Sequence, residues 1–295
     1  MRASHIRVGP AGWSYSDWEG RVYPRPHPRG FHALAYLATY VDCVEINATF
    51  YAIPPPHNAE RWAQLVADRP DFRFSAKLHQ EFTHGRWKSP PLAQAAAFEG
   101  ALGPLIEARR LSVVLAQFPF FFRDEPASRE RLRHVVETFH RLPVVLELRS
   151  GTWFRDEGLA FLQGLGVGLA HVDLPFARDH PPDRHACLGD IGYVRLHGRN
   201  SNTWFDPKAG RNDRYDYLYD DDELEGIVER TLAVARESRE TFLVTNNHYG
   251  GQAVANALEI RGLLDGHPPL APQPLREAFP HLAARSRGEG QQTLF

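Results

Sequence analysis

The sequence contains eight short runs rich in valine, isoleucine and other strand-forming residues, and amphipathic stretches lie between most of them. The runs are residues 6–12, 41–47, 72–78, 111–118, 144–149, 167–173, 193–198 and 241–247. Few charges occur early in each run, which is typical of parallel strands covered on both faces. Eight strands alternating with helices are the pattern of a (β/α)8 barrel. We therefore predict a single-domain α/β fold, a TIM-type barrel, over residues 1–266.

Two segments depart from this alternation. Residues 174–190, between the sixth and seventh runs, are proline-rich and contain no clear helical pattern. Residues 267–295 begin with the proline-rich stretch HPPLAPQPL, and we expect a linker followed by a flexible C-terminal tail. An open, doubly wound sheet is the alternative fold. The first run ends in GPAGW rather than in a GxGxxG phosphate loop, which favours the barrel.

Composition excludes several classes of protein. The 34 Lys and Arg residues nearly balance the 36 Asp and Glu residues, so no overall positive field indicates extensive contact with nucleic acid or an anionic membrane. Cys43 and Cys187 do not form a CxxC pair and cannot provide a disulfide framework. No apolar run approaches ~18 residues, and no signal-peptide core is present. We expect a cytoplasmic protein with no membrane partner.

Polar residues gather at the C-terminal ends of the runs. Arg195 and His197 are two residues apart in the seventh run, so their side chains point to the same side of the strand. The corresponding residues of the other runs are Glu45, Asn47, Lys77, His79, Gln117, Glu147, Arg149, His171, Asp173 and either Asn246 or Asn247. In a barrel these ends converge at one mouth, where active sites of this fold lie. The alternative is that some of them form structural ion pairs between strands.

These residue types predict acid–base chemistry on an anionic substrate. We assign Glu147 or Asp173 as a base or metal ligand, and His197 as an acid or ligand. Arg149 and Arg195 are expected to clamp an anion. The carboxylates and imidazoles are numerous enough for a divalent metal, although no dense ligand motif such as HExxH occurs.

Lys77 and several neighbours complete the predicted substrate-binding site. Lys77 could form a Schiff base if burial lowers its pKa, but the anchoring of a phosphate is the favoured role. The remaining predicted substrate contacts are Trp13, Glu45, Asn47, Gln117 and Asn247. The loops beyond the strands are rich in aromatic and arginine residues, which suit stacking on a base or a sugar. We therefore predict a small anionic or nucleotide-like ligand.

Seven segments carry a resemblance to a known family. They are GPAGWSYSDWEGRVYP, VEINATFYAIP, FRFSAKL, LAQFPFFF, VVLELRSGTWF, YVRLHGRN and TNNHYGGQAVANA, in this order across residues 9–257. Together they resemble the YecE-like family, also called domain of unknown function 72. The resemblance implies a TIM-type barrel and does not supply a reaction. The family's characteristic residues fall on Trp13, Glu45, Asn47, Lys77, Gln117, Glu147, Arg149, Asp173, Arg195, His197, Gly198 and Asn247.

The C-terminus carries a separate motif. The chain ends in GEGQQTLF, which is similar to short peptides that dock on DNA sliding clamps. In such a peptide, Gln291 would anchor by hydrogen bonds while Leu294 and Phe295 fill an apolar pocket. A tail that folds back on the barrel is the alternative.

The polar strand ends and the C-terminal motif lead to three hypotheses of function. The first is a hydrolase, lyase or isomerase that acts on a phosphate-bearing substrate, with a link to DNA repair if the tail binds a clamp. The second is an isomerase or hydrolase of small sugar phosphates. The third is a non-catalytic barrel that binds an anionic ligand or a protein, because fold alone does not determine function.

Overall fold

The computed structural model describes residues 5–288 and residue 290. The strands in this part of the chain are β1 Ile6–Pro10, β2 Cys43–Ile46, β3 Arg73–Lys77, β4 Leu111–Gln117, β5 Val144–Glu147, β6 Gly168–Leu169, β7 His171–Asp173, β8 Ile191–Leu196 and β9 Glu240–Thr245. They pair in parallel, in the orders β1-β9-β8-β7 and β2-β3-β4-β5-β6. Because β6 and β7 are two halves of the sixth predicted run, separated by Ala170, there are eight strand positions. The predicted TIM-type barrel is confirmed.

The two sheets join at two seams rather than through one continuous ladder. Between β1 and β2, the amide of Asp42 donates to Val8 O at 3.0 Å and that of Gly12 donates to Glu45 O at 2.8 Å. This approach requires glycine at position 9, because a Cβ there would lie 1.8 Å from the carbonyl oxygen of Cys43. The second seam lies between β6 and β7, which follow one another in the chain on either side of Ala170. The amide of Ala170 donates to Leu146 O of β5 at 2.8 Å.

Helices cover the outside of the strands. They are α1 Ala33–Leu37, α2 Ala48–Tyr51, α3 Pro56–Leu65, α4 Gln80–Thr83, α5 Leu92–Glu107, α6 Pro126–Thr138, α7 Asp156–Gly164, α8 Ser201–Trp204, α9 Arg211–Arg214, α10 Asp221–Glu237, α11 Gln252–Asp265, α12 Gln273–Ala278 and α13 Pro280–Arg285. As predicted, residues 174–190 contain no helix. None of the helices in residues 5–288 is long and apolar enough to cross a membrane.

Local signals explain where these helices begin and end. Helix α10 begins with a capping box, in which Asp220 Oδ1 accepts from the amide of Glu223 at 3.0 Å and Glu223 Oε2 accepts from that of Asp220 at 3.1 Å. This satisfies backbone donors that have no partner within the helix. Helix α11 ends at Gly266, whose φ of 69° suits a residue without a side chain.

Apolar side chains fill the barrel interior below the C-terminal ends of the strands. The interior cluster includes Cys43, Val113, Leu115, Val145, Val172, Ile191, Tyr193, Phe242 and Val244. Most of these residues come early in their strands, whereas the polar residues come late. The apolar layers therefore support a polar layer at the C-terminal mouth.

The structure differs from the expectation for residues 267–288. This segment forms α12 and α13, and it buries Ala271, Leu275, Phe279 and Leu282 within the core that also contains α11 residues. The spacing of these apolar residues gives the segment an amphipathic face, and its prolines begin the helices rather than keep the chain extended. Residues 291–295 of the predicted clamp-binding tail lie outside the described residues.

We expect Leu275→Ala to lower the free energy of unfolding by about 2–5 kcal/mol, because it leaves a cavity in a fully buried contact. The matched control is Leu263→Ala, whose side chain is 46% exposed and whose loss is expected to cost less than about 0.5 kcal/mol. Urea denaturation measures both changes. Equal effects of the two substitutions would contradict the packing of α12 on the barrel.

Candidate active site at the barrel mouth

A buried ion network links three strand ends inside the barrel. In β8, Arg195 donates through Nε and Nη2 to the two carboxylate oxygens of Glu45, at 2.9 and 2.6 Å. Its Nη1 donates to Glu147 Oε2 at 3.0 Å. The three side chains are at most 2% exposed. One guanidinium therefore joins the carboxylates of β2 and β5, and Tyr193 supports the pair by donating to Glu45 Oε2 at 2.8 Å.

Arg149 and His197 complete this network around Glu147. Arg149 Nε donates to Glu147 Oε1 at 2.8 Å, and His197 Nε2 lies 3.1 Å from the same oxygen. The Asn246 amide nitrogen lies 3.1 Å from His197 Nδ1. An amide nitrogen donates, so Nδ1 accepts and the imidazole is neutral, with its proton on Nε2. Glu147 Oε1 is the acceptor near that proton, because the other close atoms, Arg195 Nη1 at 3.2 Å and Arg149 Nη2 at 3.4 Å, are donors themselves.

The protonation states follow from burial and these neighbours. Burial, together with Arg149 and Arg195, lowers the pKa of His197 to about 3, against the opposing effect of Glu147. Burial alone would raise the pKa of Glu147, but Arg195, Arg149 and His197 outweigh it and hold that pKa well below its usual range. A neutral histidine and an ionised glutamate are thus expected near neutral pH. Neither group is suited to give up a proton there.

The four charges of the network cancel. Two carboxylates, Glu45 and Glu147, are balanced by two guanidiniums, Arg149 and Arg195. This mutual pairing offsets the cost of burying the ions. The alternative of structural ion pairs between strands thus describes this part of the predicted ring, and the network acts as the floor of the mouth.

A cavity of about 210 Å³ opens at the mouth. It is lined by Tyr15, Asn47, Tyr51, Lys77, Arg195, Arg214, Tyr215, Asn246 and His248. These residues come from β3 and β8 and from the segments after β1, β2, β8 and β9. The cavity therefore lies at the C-terminal ends of the strands, with Arg195 between it and the buried carboxylates.

Lys77 projects into this cavity without an acidic partner. Its Nζ lies 3.9 Å from the centre of the Phe50 ring, and none of the described carboxylates lies within ion-pair distance of it. Burial, followed by the guanidiniums of Arg195 and Arg149, lowers the pKa of Lys77 to about 7. A large fraction of the side chain is then a neutral amine at neutral pH.

Arg214 is a second cation without an acidic partner. Its Nη2 donates to the backbone oxygen of Asp206 at 3.1 Å. Its Nε is buried and has no hydrogen-bond partner in the described part of the chain. Since the network below is neutral, Arg214 gives the cavity a positive charge, and Lys77 adds a second one whenever it is protonated.

Stacked rings form one wall of the cavity. The Tyr15 and His248 rings lie 4.5 Å apart at an angle of 11°, and the His248 and Tyr215 rings lie 5.0 Å apart at 37°. The Tyr15 hydroxyl donates to Ala11 O at 2.7 Å, which fixes the outer ring. The wall brings the Tyr215 phenol and the His248 imidazole, both proton-transfer groups, to the cavity.

The predicted residues divide between the cavity and its support. Asn47, Lys77 and Arg195 line the cavity. Glu45, Glu147, Arg149 and His197 belong to the ion network beneath it. Gln117 is buried and donates to Phe118 O at 2.7 Å, and Trp13 packs edge-on against Trp62 at 5.5 Å.

The predicted convergence of Asp173 with Glu147 and His197 is wrong. The Asp173 carboxylate accepts from Arg199 at 2.9 and 2.7 Å, from Arg230 of α10 at 2.9 Å and from the Tyr219 hydroxyl at 2.8 Å. It therefore faces the outer layer. In this strand the alternate residues, among them Val172, pack into the barrel interior. The outer face remains polar because α10 supplies a buried arginine to it.

The predicted position of Asn247 is also wrong. Its amide nitrogen donates to Tyr217 O at 2.8 Å and to Asn256 Oδ1 at 2.9 Å, behind the strand end. Asn246 is the one that lines the cavity. Our assignments from the sequence also missed Arg214 and His248. His248 directly follows Asn246 and Asn247 at the end of β9, so its place in the sequence could have indicated that it lies at the mouth. Arg214 lies in a long loop, where no strand register indicates the direction of a side chain.

The sequence left open whether a divalent metal is bound. Among the described residues, no group of three or more His, Cys, Asp or Glu side chains could hold a metal ion. At the mouth, both carboxylates already accept hydrogen bonds from arginines.

A larger depression of about 770 Å³ lies on the outside, beside α6 and α7. It is an open surface, and its Arg129 is paired with Asp124 at 2.6 and 2.8 Å. It is lined by residues of α6 and α7 and of the segments before them, and by none of the predicted strand-end residues. The smaller cavity, which contains three of those residues, is the better candidate.

The fold and the cavity together define a (β/α)8-barrel protein with a cavity at the C-terminal mouth, where the active sites of this fold lie. A family profile described as "Protein of unknown function DUF72" matches residues 7–278. The chain belongs to this family, and the resemblance seen in the sequence is confirmed.

Individual relatives agree with this assignment. The chain is 30% identical over 284 residues to the UPF0759 protein YunF of Bacillus subtilis, covering 92% of this chain and 99% of that protein. A 79-residue match to YecE of Escherichia coli is 34% identical and covers 27% of this chain and 25% of that protein. The crystal structure of a DUF72 family protein from Thermotoga maritima superposes with a TM-score of 0.75 at 33% identity, covering 88% of this chain and 99% of that one.

We expect Glu147→Gln to lower the free energy of unfolding by about 3–5 kcal/mol, because it leaves two guanidiniums around one remaining carboxylate. The control is Asp221→Asn, which breaks the exposed ion pair with Arg285 and is expected to cost about 1 kcal/mol or less. Chemical denaturation at neutral pH measures both. A Glu147→Gln protein as stable as the control would contradict the role of the network as a floor.

We expect the Lys77 amine to titrate with a pKa of about 7. The chain has three lysines, at positions 77, 88 and 208, so ¹³C reductive methylation gives few NMR resonances to assign. Lys88→Arg and Lys208→Arg identify the other two signals. A Lys77 signal that titrates near the ordinary value of about 10.4 would contradict the described environment.

Proposed function

We propose that this protein is an enzyme that binds a small anionic substrate in the cavity at the barrel mouth. The proposal rests on two cations, Lys77 and Arg214. Neither has an acidic partner among the described residues, whereas the ions beneath them are fully paired. A bound anion would supply the missing negative charge.

The size of the cavity limits the substrate. At about 210 Å³, it is smaller than the ~300–1,000 Å³ of pockets that hold drug-sized ligands. A compact carboxylate or phosphate ester suits it better than an extended polymer. This favours the small-molecule hypotheses formed from the sequence, including a sugar-phosphate isomerase.

The lowered pKa of Lys77 favours a catalytic role over simple binding of an anion. A lysine that only clamps an anion does so best when it is fully charged, whereas burial and two guanidiniums lower the pKa of Lys77 to about 7. Such a group can accept or donate a proton near neutral pH. In this proposal Glu147 and His197 position Arg195 and do not themselves transfer protons.

The link to DNA repair remains a separate prediction. It depends on Gln291, Leu294 and Phe295, which lie outside the described residues. Deletion of residues 291–295 should abolish binding to a DNA sliding clamp, and unchanged binding would contradict it.

We expect small anions to bind in preference to uncharged analogues, and Arg214→Ala to weaken that binding about 10- to 100-fold, since a charge-assisted hydrogen bond contributes about 1.5–3 kcal/mol. Calorimetry with phosphate, glycerol 3-phosphate, pyruvate and glycerol measures the preference. The control is Lys208→Ala, which removes an exposed cation from the same loop. The proposal fails if no anion binds better than glycerol, or if the two variants behave alike.

A further inference from the structure

We propose that Lys77 is a catalytic nucleophile that forms an imine with the substrate, so that the substrate class is a small anion with an aldehyde or ketone group. This inference rests on the proposed function and deepens it. It assigns the two unpaired cations to different tasks: Arg214 holds the anionic group, and the Lys77 amine attacks the carbonyl carbon.

The position of Lys77 is fixed by its backbone. It is the last residue of β3, and its carbonyl oxygen accepts a hydrogen bond from the Thr49 hydroxyl at 2.7 Å. The same hydroxyl lies 2.9 Å from Ile46 O, at the end of the neighbouring strand β2. A lysine held on two rigid strand ends presents its amine at a defined place, which a nucleophile requires.

The surroundings of Nζ distinguish a nucleophile from an anchor. One side of the amine faces the Phe50 ring at 3.9 Å. The guanidiniums of Arg195 and Arg149 are permanently charged, and Glu45 and Glu147 hold them in place. Together with burial, they lower the pKa of Lys77 more than Glu147 and Glu45 raise it. A desolvated lysine beside fixed cations is the arrangement that activates an amine for imine formation.

The step balances without any further reactant. The neutral Nζ lone pair adds to the carbonyl carbon while the carbon–oxygen π bond breaks, and a proton moves from nitrogen to the new alkoxide. The resulting hydroxyl takes up a second proton and leaves as water, and a protonated imine remains. Tyr215 and His248 line the cavity and are the groups that can supply and take back these protons.

The product of this step indicates the reaction class. A protonated imine withdraws electrons from the adjacent carbon, so a proton or a carbon substituent on that carbon leaves more easily. This chemistry suits an isomerase or a lyase. It gives no advantage to a hydrolase in which water attacks an ester or a phosphate ester directly.

The test is reductive trapping with sodium borohydride in the presence of pyruvate, glyoxylate or dihydroxyacetone phosphate, followed by peptide mass mapping. We expect at least one of these probes to label Lys77 at least about ten-fold faster than Lys88 or Lys208, which serve as internal references. Lys77→Arg should lose this label while it retains anion binding by calorimetry, because it keeps the charge and cannot form an imine. Thermal unfolding checks that this variant is folded, and Lys77→Met provides a second variant without the amine.

The outcomes separate this inference from the proposed function. If anions bind but Lys77 is labelled no faster than the two exposed lysines, the imine is overturned and the anion site stands. If propionaldehyde, which is uncharged, labels Lys77 as fast as glyoxylate and Arg214→Ala changes neither rate, the nucleophile stands and the anion site is overturned. If neither binding nor labelling occurs, both are overturned.

Discussion

The bidentate ion pair between Arg195 and Glu45 is the interaction on which the site depends. It places a guanidinium in the barrel interior, where a lone charge would be costly, and Glu147 shares the same guanidinium at 3.0 Å. The strands β2, β5 and β8 are thereby joined across the barrel. Removing one of the carboxylates would leave an excess of buried positive charge. The loss of a single carboxylate is therefore expected to destabilise the whole polar layer.

Because this polar layer is neutral, the unbalanced charge of the cavity comes from Arg214 and from protonated Lys77. Glu45 and Glu147 hold Arg149 and Arg195 in fixed positions beside the cavity. Burial and these two guanidiniums destabilise the charged form of the Lys77 amine, and they outweigh the opposing effect of Glu147 and Glu45. The ion network thus prepares a lysine that can react, while Arg214 in the loop after β8 supplies the charge that attracts an anion.

Much of the architecture was predictable from the sequence, because strand and helix periods are local properties. The register of Arg195 and His197 was also predictable, since both lie within one regular strand. Prediction failed in the sixth run, where the small and apolar residues Ala170, Val172 and Leu174 take the inward positions. Asp173 is one residue out of phase with them and therefore points outward to Arg199 and Arg230. Arg214 was missed because a loop of this length carries no periodic signal.

A crystal structure of the protein soaked in phosphate tests the central claim most directly, since that claim concerns where the unbalanced charge lies. We expect an anion in the cavity, with oxygen atoms within hydrogen-bond distance of the Arg214 guanidinium and close to Lys77 Nζ, above an undisturbed Arg195–Glu45 pair. A carboxylate of the chain paired with Lys77 or Arg214, and no anion in the cavity, would contradict the account.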